Sequence, residues 1–180
     1  ESHKALEVLR ASDEIALGYP IYFSDIPRIV KAFITKHAAM FRGKRVFIIA
    51  TMGLFSGDGA GLASRLLRKC GAAVTGGLHL RMPDCIADVK LLKKTPEENG
   101  ALIAAAQKKI VQAADAIKRG IYPKDGLSFF HGIAGLFGQR LWFKMHAKKL
   151  RERLKIRTER CIGCGLCAAH CPSKSLYIEN

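Results

Sequence analysis

The chain has 180 residues, of which 49% are hydrophobic and 25% charged, so its composition suits one medium globular domain with a small appendage. Its formal net charge of +15 is high for this length and favours an anionic partner. The longest uncharged apolar run of the C-terminal third, 127–137, is too short to cross a bilayer, and nothing at the start resembles a signal peptide. We therefore expect a cytoplasmic protein.

Apolar patterning over the N-terminal two-thirds predicts alternating helices and strands. Residues 3–11 are typical of the end of an amphipathic helix, and the apolar run that stops at Pro20 indicates a buried parallel strand. A helix is predicted from Pro27 to a stop at Gly43, because proline suits a first helical turn. The segment 45–51, RVFIIAT, carries the clearest strand signal in the chain.

The same alternation continues beyond this strand. The glycine-rich loop 52–61, MGLFSGDGAG, leads into a predicted helix, and 72–82 predicts a weaker strand that is broken at Gly76 and Gly77. Thr95 and Pro96 then provide the N-cap and first turn of a long helix that extends to Lys118.

Alternating strands and helices imply right-handed crossovers, and therefore an α/β fold with a doubly wound parallel sheet. The turn GIYPKDG at 120–126 marks the boundary of this region. The predicted domains are an α/β domain at 1–122, a basic helical linker at 123–155 and a small cysteine module at 156–180.

The linker region is strongly basic. Residues 140–160 contain nine Lys or Arg against two Glu. Such a segment favours an acidic protein or an anionic membrane surface, and a solvated helix face explains it equally well. Nucleic acid is not expected as a partner, because no interleaved aromatics or nucleic-acid motif accompany the charges.

The cysteine module carries the strongest chemical signal. Four of the six cysteines fall within eleven residues, and the other two, Cys70 and Cys85, are interpreted as packed thiols. The four follow the spacing C-x₂-C-x₂-C-x₃-C-P of bacterial 4Fe–4S ferredoxins, so the predicted metal ligands are Cys161, Cys164, Cys167 and Cys171.

The residues between these cysteines suit an iron–sulfur cluster. Gly163 and Gly165 allow the chain to wrap tightly and let backbone N–H groups approach the sulfur atoms. Pro172 ends the run. A structural zinc site is the alternative, but such sites combine two separated Cys/His pairs, and this run has no second pair. His170 is interpreted as a surface residue of the module.

In two-cluster ferredoxins, the fourth cysteine of such a run ligates the other cluster. The first cluster then takes one ligand from a second run downstream, and the chain stops at Asn180 after LYIEN, a segment typical of a strand leading to that run. The missing ligand is therefore expected in sequence absent from this chain, or in another subunit.

Two loops at predicted strand ends form a candidate cofactor site, because ligands of doubly wound sheets bind beyond the carboxyl ends of the strands. Aromatic side chains can cover a flat ring, and glycines let backbone amides reach its heteroatoms. Burial of Tyr22 and Phe23 in the core is the alternative, and Gly57, Gly59 and Gly61 match a dinucleotide fingerprint poorly. The candidate residues are Pro20, Ile21, Tyr22, Phe23, Ser24, Thr51, Met52, Gly53, Phe55, Ser56, Gly57, Asp58 and Gly59.

The stretches YPIYFSDIPRIVKAF, ATMGLFSGDGAG with RMPD, and CIGCGLCAAHCPSKSL resemble those of flavodoxin-like/ferredoxin fusion proteins. The resemblance implies a flavodoxin-like domain, two 4Fe–4S clusters in the complete protein, and an FMN ring between Pro20–Ser24 and Thr51–Gly59. A flavodoxin holds the FMN phosphate in a Ser/Thr/Gly-rich loop after its first strand, and no such loop precedes Ser12. The sheet is therefore expected to lack its first strand, and the chain to be truncated at both ends.

The favoured function is electron transfer between a flavin-type domain, ferredoxin clusters and an acidic redox partner. A flavin-dependent reductase, acting on a quinone or similar acceptor with the cluster as an internal wire, is the alternative. No catalytic acid–base pair or small-molecule substrate is assigned. A third hypothesis places the basic stripe and the apolar helix 129–143 on a membrane surface.

Overall fold

The computed structural model describes residues 3–54, 56–84, 92–127, 145–146, 157–171 and 174–178. The chain divides into two compact units, Glu1–Met145 and His146–Asn180. Most of the predicted linker, together with Phe55, Cys85 and Pro172, lies outside the described residues. Within them, no helix is long and apolar enough to cross a membrane.

The first unit alternates helices with strands, as the sequence predicts. Its elements in chain order are α1 (His3–Ala11), β1 (Glu14–Pro20), α2 (Arg28–Lys36), a 3-10 helix (Ala38–Phe41), β2 (Arg45–Met52), α3 (Gly59–Lys69), β3 (Ala73–Arg81) and α4 (Pro96–Lys118).

Local sequence sets the start of α4, whereas tertiary packing sets the end of α2. The N-terminus of α4 has a capping box: Glu98 N–H donates to Thr95 Oγ1 over 3.2 Å, and Thr95 N–H donates to Glu98 Oε2 over 2.8 Å. By contrast, α2 ends at Lys36, earlier than predicted. The 3-10 turn that follows places Phe41 in the core, 1% exposed, before Gly43 reverses the chain at φ +76°.

The three strands form one parallel sheet in the order β1-β2-β3. β1 pairs with β2 from Glu14 opposite Arg45 to Pro20 opposite Thr51. β2 pairs with β3, with a register shift between Val46 and Phe47. The predicted open parallel sheet is confirmed, and the strand order keeps the ends of neighbouring strands side by side.

Helices cover both faces of the sheet, so the doubly wound arrangement is also confirmed. Alternate residues of β2 point to opposite faces: Val46 and Ile48 join the core beneath α1, α2 and α3, whereas Phe47 joins the core beneath α4. Ile34 of α2 and Leu67 of α3 are fully buried in the first core. α4 contributes small residues to the second core, chiefly Ala106 and Ala113.

The predicted break in β3 is wrong, because the strand runs without interruption through Gly76 and Gly77. The two glycines instead admit a neighbouring backbone. Gly77 N–H donates to Pro123 O over 2.8 Å, and Asp125 N–H donates back to Gly77 O over 2.9 Å. A Cβ on Gly77 would lie 2.7 Å from Asp125 O, so a side chain there would displace the segment that follows α4.

An ion pair holds this segment against β3 and α4. Lys109 Nζ donates to Asp125 Oδ2 over 2.6 Å and to His79 O over 2.9 Å, and His79 N–H donates to Asp125 Oδ2 over 3.1 Å. Partial burial raises the pKa of Asp125, but the hydrogen bonds from Lys109 and His79 and the charge of Lys109 more than offset this, so the pKa is lowered on balance.

The second unit has a different construction. Its described residues form a 3-10 helix (Thr158–Arg160) and a short helix α5 (Leu166–Ala169), and none of these described residues is buried. The segment 176–180, LYIEN, was predicted to be a strand, but its described residues, 176–178, do not form one. Hydrophobic burial among the described residues therefore contributes little to this unit.

Candidate functional site

The two predicted cofactor loops lie side by side at the carboxyl edge of the sheet. Ile21 N–H, just after β1, donates to Thr51 O at the end of β2 over 2.8 Å. Met82 N–H, just after β3, donates to Met52 O over 2.9 Å. The parallel register thus brings together residues that are about thirty positions apart in the sequence.

The loop after β1 contains a tight reverse turn that presents aromatic side chains. Tyr22 N–H donates to Asp25 O over 3.1 Å, and Asp25 N–H donates to Tyr22 O over 2.9 Å. The two residues between them, Phe23 and Ser24, both have positive φ, +50° and +59°. Such angles in non-glycine residues store strain and often mark functional loops. Tyr22 is 48% exposed and Phe23 is 43% exposed, so neither is a core residue.

The candidate residues separate into an accessible group and a buried group. Pro20, Tyr22 and Phe23 are exposed, and Ile21, Thr51, Met52 and Gly53 are half-buried. The buried group cannot touch a ligand without rearrangement of the loop. It comprises Ser24, Ser56, Gly57, Asp58 and Gly59.

Protein contacts occupy the buried group. A Cβ on Gly59 would lie 2.7 Å from Ile21 Cγ1, so the second loop packs directly against the first. Ser56 Oγ donates to Gly57 O over 3.3 Å. Asp58, 2% exposed, accepts hydrogen bonds from both guanidinium nitrogens of Arg65.

Tyr19 lies beneath the same loop. Its hydroxyl donates to Gly59 O over 3.2 Å. Burial, together with the nearby negative charge of Asp58, raises the pKa of Tyr19 far above its ordinary value, so the phenol stays protonated. Tyr19, Asp58 and Arg65 therefore brace the glycine-rich loop from below.

The cysteine module contains the backbone features that its spacing predicts. Gly163 and Gly165 have φ of +69° and +74°, left-handed values that turn the chain sharply between successive cysteines. Cys167 lies in α5. Ser175 N–H donates to Cys171 Sγ over 3.3 Å, an N–H to sulfur bond of the kind that stabilises a ligating thiolate.

The donor set and the wrapping of the chain fit a 4Fe–4S cluster. Three of the thiols, Cys161, Cys164 and Cys167, are exposed, and Cys171 is half-buried. Among the described residues, no atom lies within 4 Å of a Cβ placed on Gly163. Within the described ranges, no three Cys, His, Asp or Glu side chains already converge as metal ligands. The four-cysteine ligand set therefore stays a prediction.

Comparison with known proteins identifies the module. Residues 154–177 match the 4Fe-4S binding domain family. The chain matches no curated protein.

Two solved structures resemble the chain more loosely. One is the two-electron reduced flavodoxin of Megasphaera elsdenii, with 28% identity over 48% of this chain and a TM-score of 0.40. The other is an NADPH-quinone reductase from P. pentosaceus, with 18% identity over 60% of this chain and a TM-score of 0.37. The matches span 66% of the flavodoxin, just under two thirds, and 73% of the reductase.

The class of protein follows from the described fold and the family match. An open, doubly wound parallel α/β unit precedes a 4Fe–4S ferredoxin module, which is the organisation that the resemblance to flavodoxin-like/ferredoxin fusion proteins implies. The predicted iron–sulfur character of the module is confirmed at the level of the domain.

Two features of the site were missed from the sequence. The Asp58–Arg65 pair gave no signal, because the two residues are seven positions apart and meet only when α3 forms after the loop. The basic character of the α2–α3 layer was also missed, although a count of acidic residues would have found it: only Asp58 is acidic between Arg28 and Ala72.

Proposed function

We propose that the protein is an iron–sulfur electron-transfer protein in which Cys161, Cys164 and Cys167 ligate one 4Fe–4S cluster and Cys171 ligates a second. The match of residues 154–177 to the 4Fe-4S binding domain family, on a run with ferredoxin spacing, carries this proposal. A bound cluster of this type supplies one-electron oxidation and reduction.

The residues of the module act on the cluster through position and charge. The left-handed turns at Gly163 and Gly165 allow three thiolates to face one small object. The N–H of Ser175, which already reaches Cys171 Sγ, stabilises negative charge on that sulfur. Backbone N–H groups directed at sulfur favour the reduced, more negative state and raise the potential.

We further propose that the accessible strand-end residues receive a flavin ring. Tyr22 and Phe23 are exposed at the edge of the sheet where Thr51, Met52 and Gly53 are half-buried, so aromatic side chains are available there to cover a flat ring. Ser24 and Asp58 support the loops from beneath. The flavin-type unit and the cluster would then exchange electrons with each other or with an acidic redox protein.

Iron and acid-labile sulfide per chain, measured after anaerobic reconstitution, test the cluster. We expect iron and acid-labile sulfide to bind to the module, with the EPR signal of a reduced iron–sulfur centre. Zinc at one ion per chain, with no labile sulfide, would refute the proposal. Cys70→Ser is the matched control, because this thiol lies at the C-cap of α3 in the other unit.

The flavin proposal has its own test, a fluorescence titration of FMN and riboflavin. We expect Phe23→Ala to weaken the binding of both ligands, by about tenfold if the ring stacks on this side chain. Ile29→Ala, which removes an exposed side chain of α2, is the control and should have no effect. Equal affinities for the wild type and both variants would exclude the strand-end loops as the flavin site.

A further inference from the structure

The layer formed by α2 and α3 carries an excess of positive charge. The stretch from Arg28 to Ala72 contains nine Lys or Arg, two of which (Lys44 and Arg45) lie at the start of β2 and outside this layer, and one acidic residue, Asp58. Asp58 is buried and is paired with Arg65. The layer therefore has no exposed acidic side chain of its own, and its excess of charge is comparable to that of the linker.

The fold gathers these charges on one side of the sheet. α2 and α3 contact each other and bury Ile34 and Leu67 in the same core, so their outer faces form a common surface. Arg42 belongs to the same layer, because a Cβ on Gly71 would lie 3.2 Å from Arg42 Cγ, just after the end of α3. We call this surface the basic face; its exposed cations are Arg28, Lys31, Lys36, Arg42, Arg68 and Lys69.

Most of these cations have no acidic neighbour. No ion pair between residues that the structure describes involves Arg28, Lys31, Arg42, Arg68 or Lys69. By contrast, Arg45 pairs with Glu14 over 2.7 Å, and Lys109 pairs with Asp125 over 2.6 Å. The field of the basic face is therefore not cancelled locally, and it reaches about one Debye length, roughly 10 Å at 0.1 M salt.

We propose that the basic face is a docking surface for an acidic protein. Ile29, 77% exposed between Arg28 and Lys31, provides a small apolar centre within the charged surround, as in transient protein interfaces. Opposite charges on the partner would then accelerate encounter and fix its orientation. The identity of this partner as a redox protein rests on the proposed function, whereas the docking surface itself does not.

The shape of the basic face argues against other anionic partners. An interfacial membrane helix needs a broad apolar side, and the apolar side of α2, at Phe33 and Ile34, faces the core. Nucleic-acid surfaces interleave cations with aromatic side chains for stacking, and neither helix has an exposed aromatic residue.

The test is a calorimetric titration of the complete chain with a small, strongly acidic flavodoxin as probe. We expect binding that weakens as salt rises, and about tenfold weaker binding for Lys31→Glu/Lys69→Glu. Lys108→Glu/Lys118→Glu changes the net charge equally but lies on α4, beneath the other face of the sheet, and should weaken binding less than about twofold.

Equal losses in the two variants would overturn the proposal, since net charge alone would then govern binding. The proposal also fails if the flavodoxin does not bind, or if the basic face is needed only for single-stranded DNA or for vesicles of equal parts phosphatidylserine and phosphatidylcholine. Circular dichroism checks that both variants fold. If Lys31→Glu/Lys69→Glu does not fold, Lys31→Gln/Lys69→Gln replaces it, and we expect that variant to bind the flavodoxin about threefold more weakly than the wild type.

Iron content measured on the same samples separates the two proposals. Binding that depends on the basic face in protein without a cluster would support the surface while the proposed function fails. A cluster-loaded protein whose binding ignores the basic face would leave the proposed function standing and remove the surface.

Discussion

The two units of the chain are stabilised by different means. The first unit has two apolar cores, with Ile34, Ile48 and Leu67 fully shielded from solvent. The described residues of the second unit include none that is buried, and Ile162 and Tyr177 are 88% and 75% exposed. Folding of the first unit therefore depends on hydrophobic burial, whereas the second resembles small domains that need a metal to fold.

Side chains therefore contribute to stability in different ways in the two units. In the α/β unit, a side chain contributes through what it packs against, and even the candidate cofactor loops are held by a half-buried ion pair and a buried tyrosine. In the cysteine module, the described residues include four free thiols, which have the chemistry to organise the chain around a metal. The two units should therefore fail independently when they are perturbed.

The largest expected effect follows from removal of two ligands. We expect Cys161→Ser/Cys164→Ser to retain less than about a tenth of the iron of the reconstituted wild type. Hydrogen exchange at 157–178 should rise, while the thermal unfolding of the first unit stays unchanged. Cys70→Ser should keep its iron. Exchange of the module that does not respond to iron loss would show that the module folds without its metal.

A cavity in the first core should lower the stability of the first unit and leave the iron content of the module unchanged. Leu67 is fully buried, and we expect Leu67→Ala to lower the free energy of unfolding by about 2–5 kcal/mol, measured by urea denaturation. Ile29→Ala, at a position 77% exposed, should change it by less than about 0.5 kcal/mol. Loss of iron from Leu67→Ala under conditions where the unit stays folded would contradict the independence of the two units.

A smaller effect is expected where the chain passes β3. Gly77→Ala places a Cβ 2.7 Å from Asp125 O, and we expect a cost of about 1–3 kcal/mol as this segment shifts. The control is Gly18→Ala in β1, where nothing lies within 4 Å of the new atom. Equal stabilities of the two variants would indicate that the segment after α4 does not pack on β3.

The smallest effect concerns pH. The folded-state pKa of Asp125 is lowered, so its pairing with Lys109 stabilises the fold at pH values above the ordinary Asp pKa of about 3.9. This stabilisation is lost as the pH falls through the lowered pKa. Asp125→Asn should cost under about 1 kcal/mol at neutral pH, since solvent screens the half-exposed pair, and less in acid. Urea denaturation as a function of pH measures this.

Asp115→Asn is the control for the pH experiment, because Asp115 meets Lys118 only at 3.9 Å on the surface of α4. A difference between Asp125→Asn and the wild type that stays constant from neutral to acidic pH would show that shape, rather than charge, accounts for the contribution of Asp125.

Much of the α/β fold could be predicted because its signals are local. The apolar run of β2 and the Thr95 N-cap of α4 depend on neighbouring residues, and both predictions are confirmed. The predicted break at Gly76 and Gly77 was wrong because the role of these glycines depends on a tertiary contact. Glycine is permissive, and only the passage of Pro123 and Asp125 shows that the pair serves close backbone contact.

The position of the candidate cofactor loops could be predicted from the sequence, but the exposure of their side chains could not. Loop sequences and strand order place the loops after β1 and β2 at one edge, but they do not show which side chains reach solvent. Tyr22 and Phe23 are exposed by a strained turn, whereas Ser24 and Asp58 are buried by packing between the two loops. The distinction depends on contacts between residues about thirty positions apart.

The iron–sulfur character of the cysteine module could be predicted from the sequence alone, because closely spaced cysteines are a local property of the chain. The alternation of helices and strands could be predicted for the same reason, since hydrophobic periodicity is also local. The accessibility of the loop residues and the grouping of cations into the basic face depend instead on tertiary packing. Lys31 and Lys69 are far apart in the sequence, and they share a surface because α2 and α3 contact each other and pack into the same core.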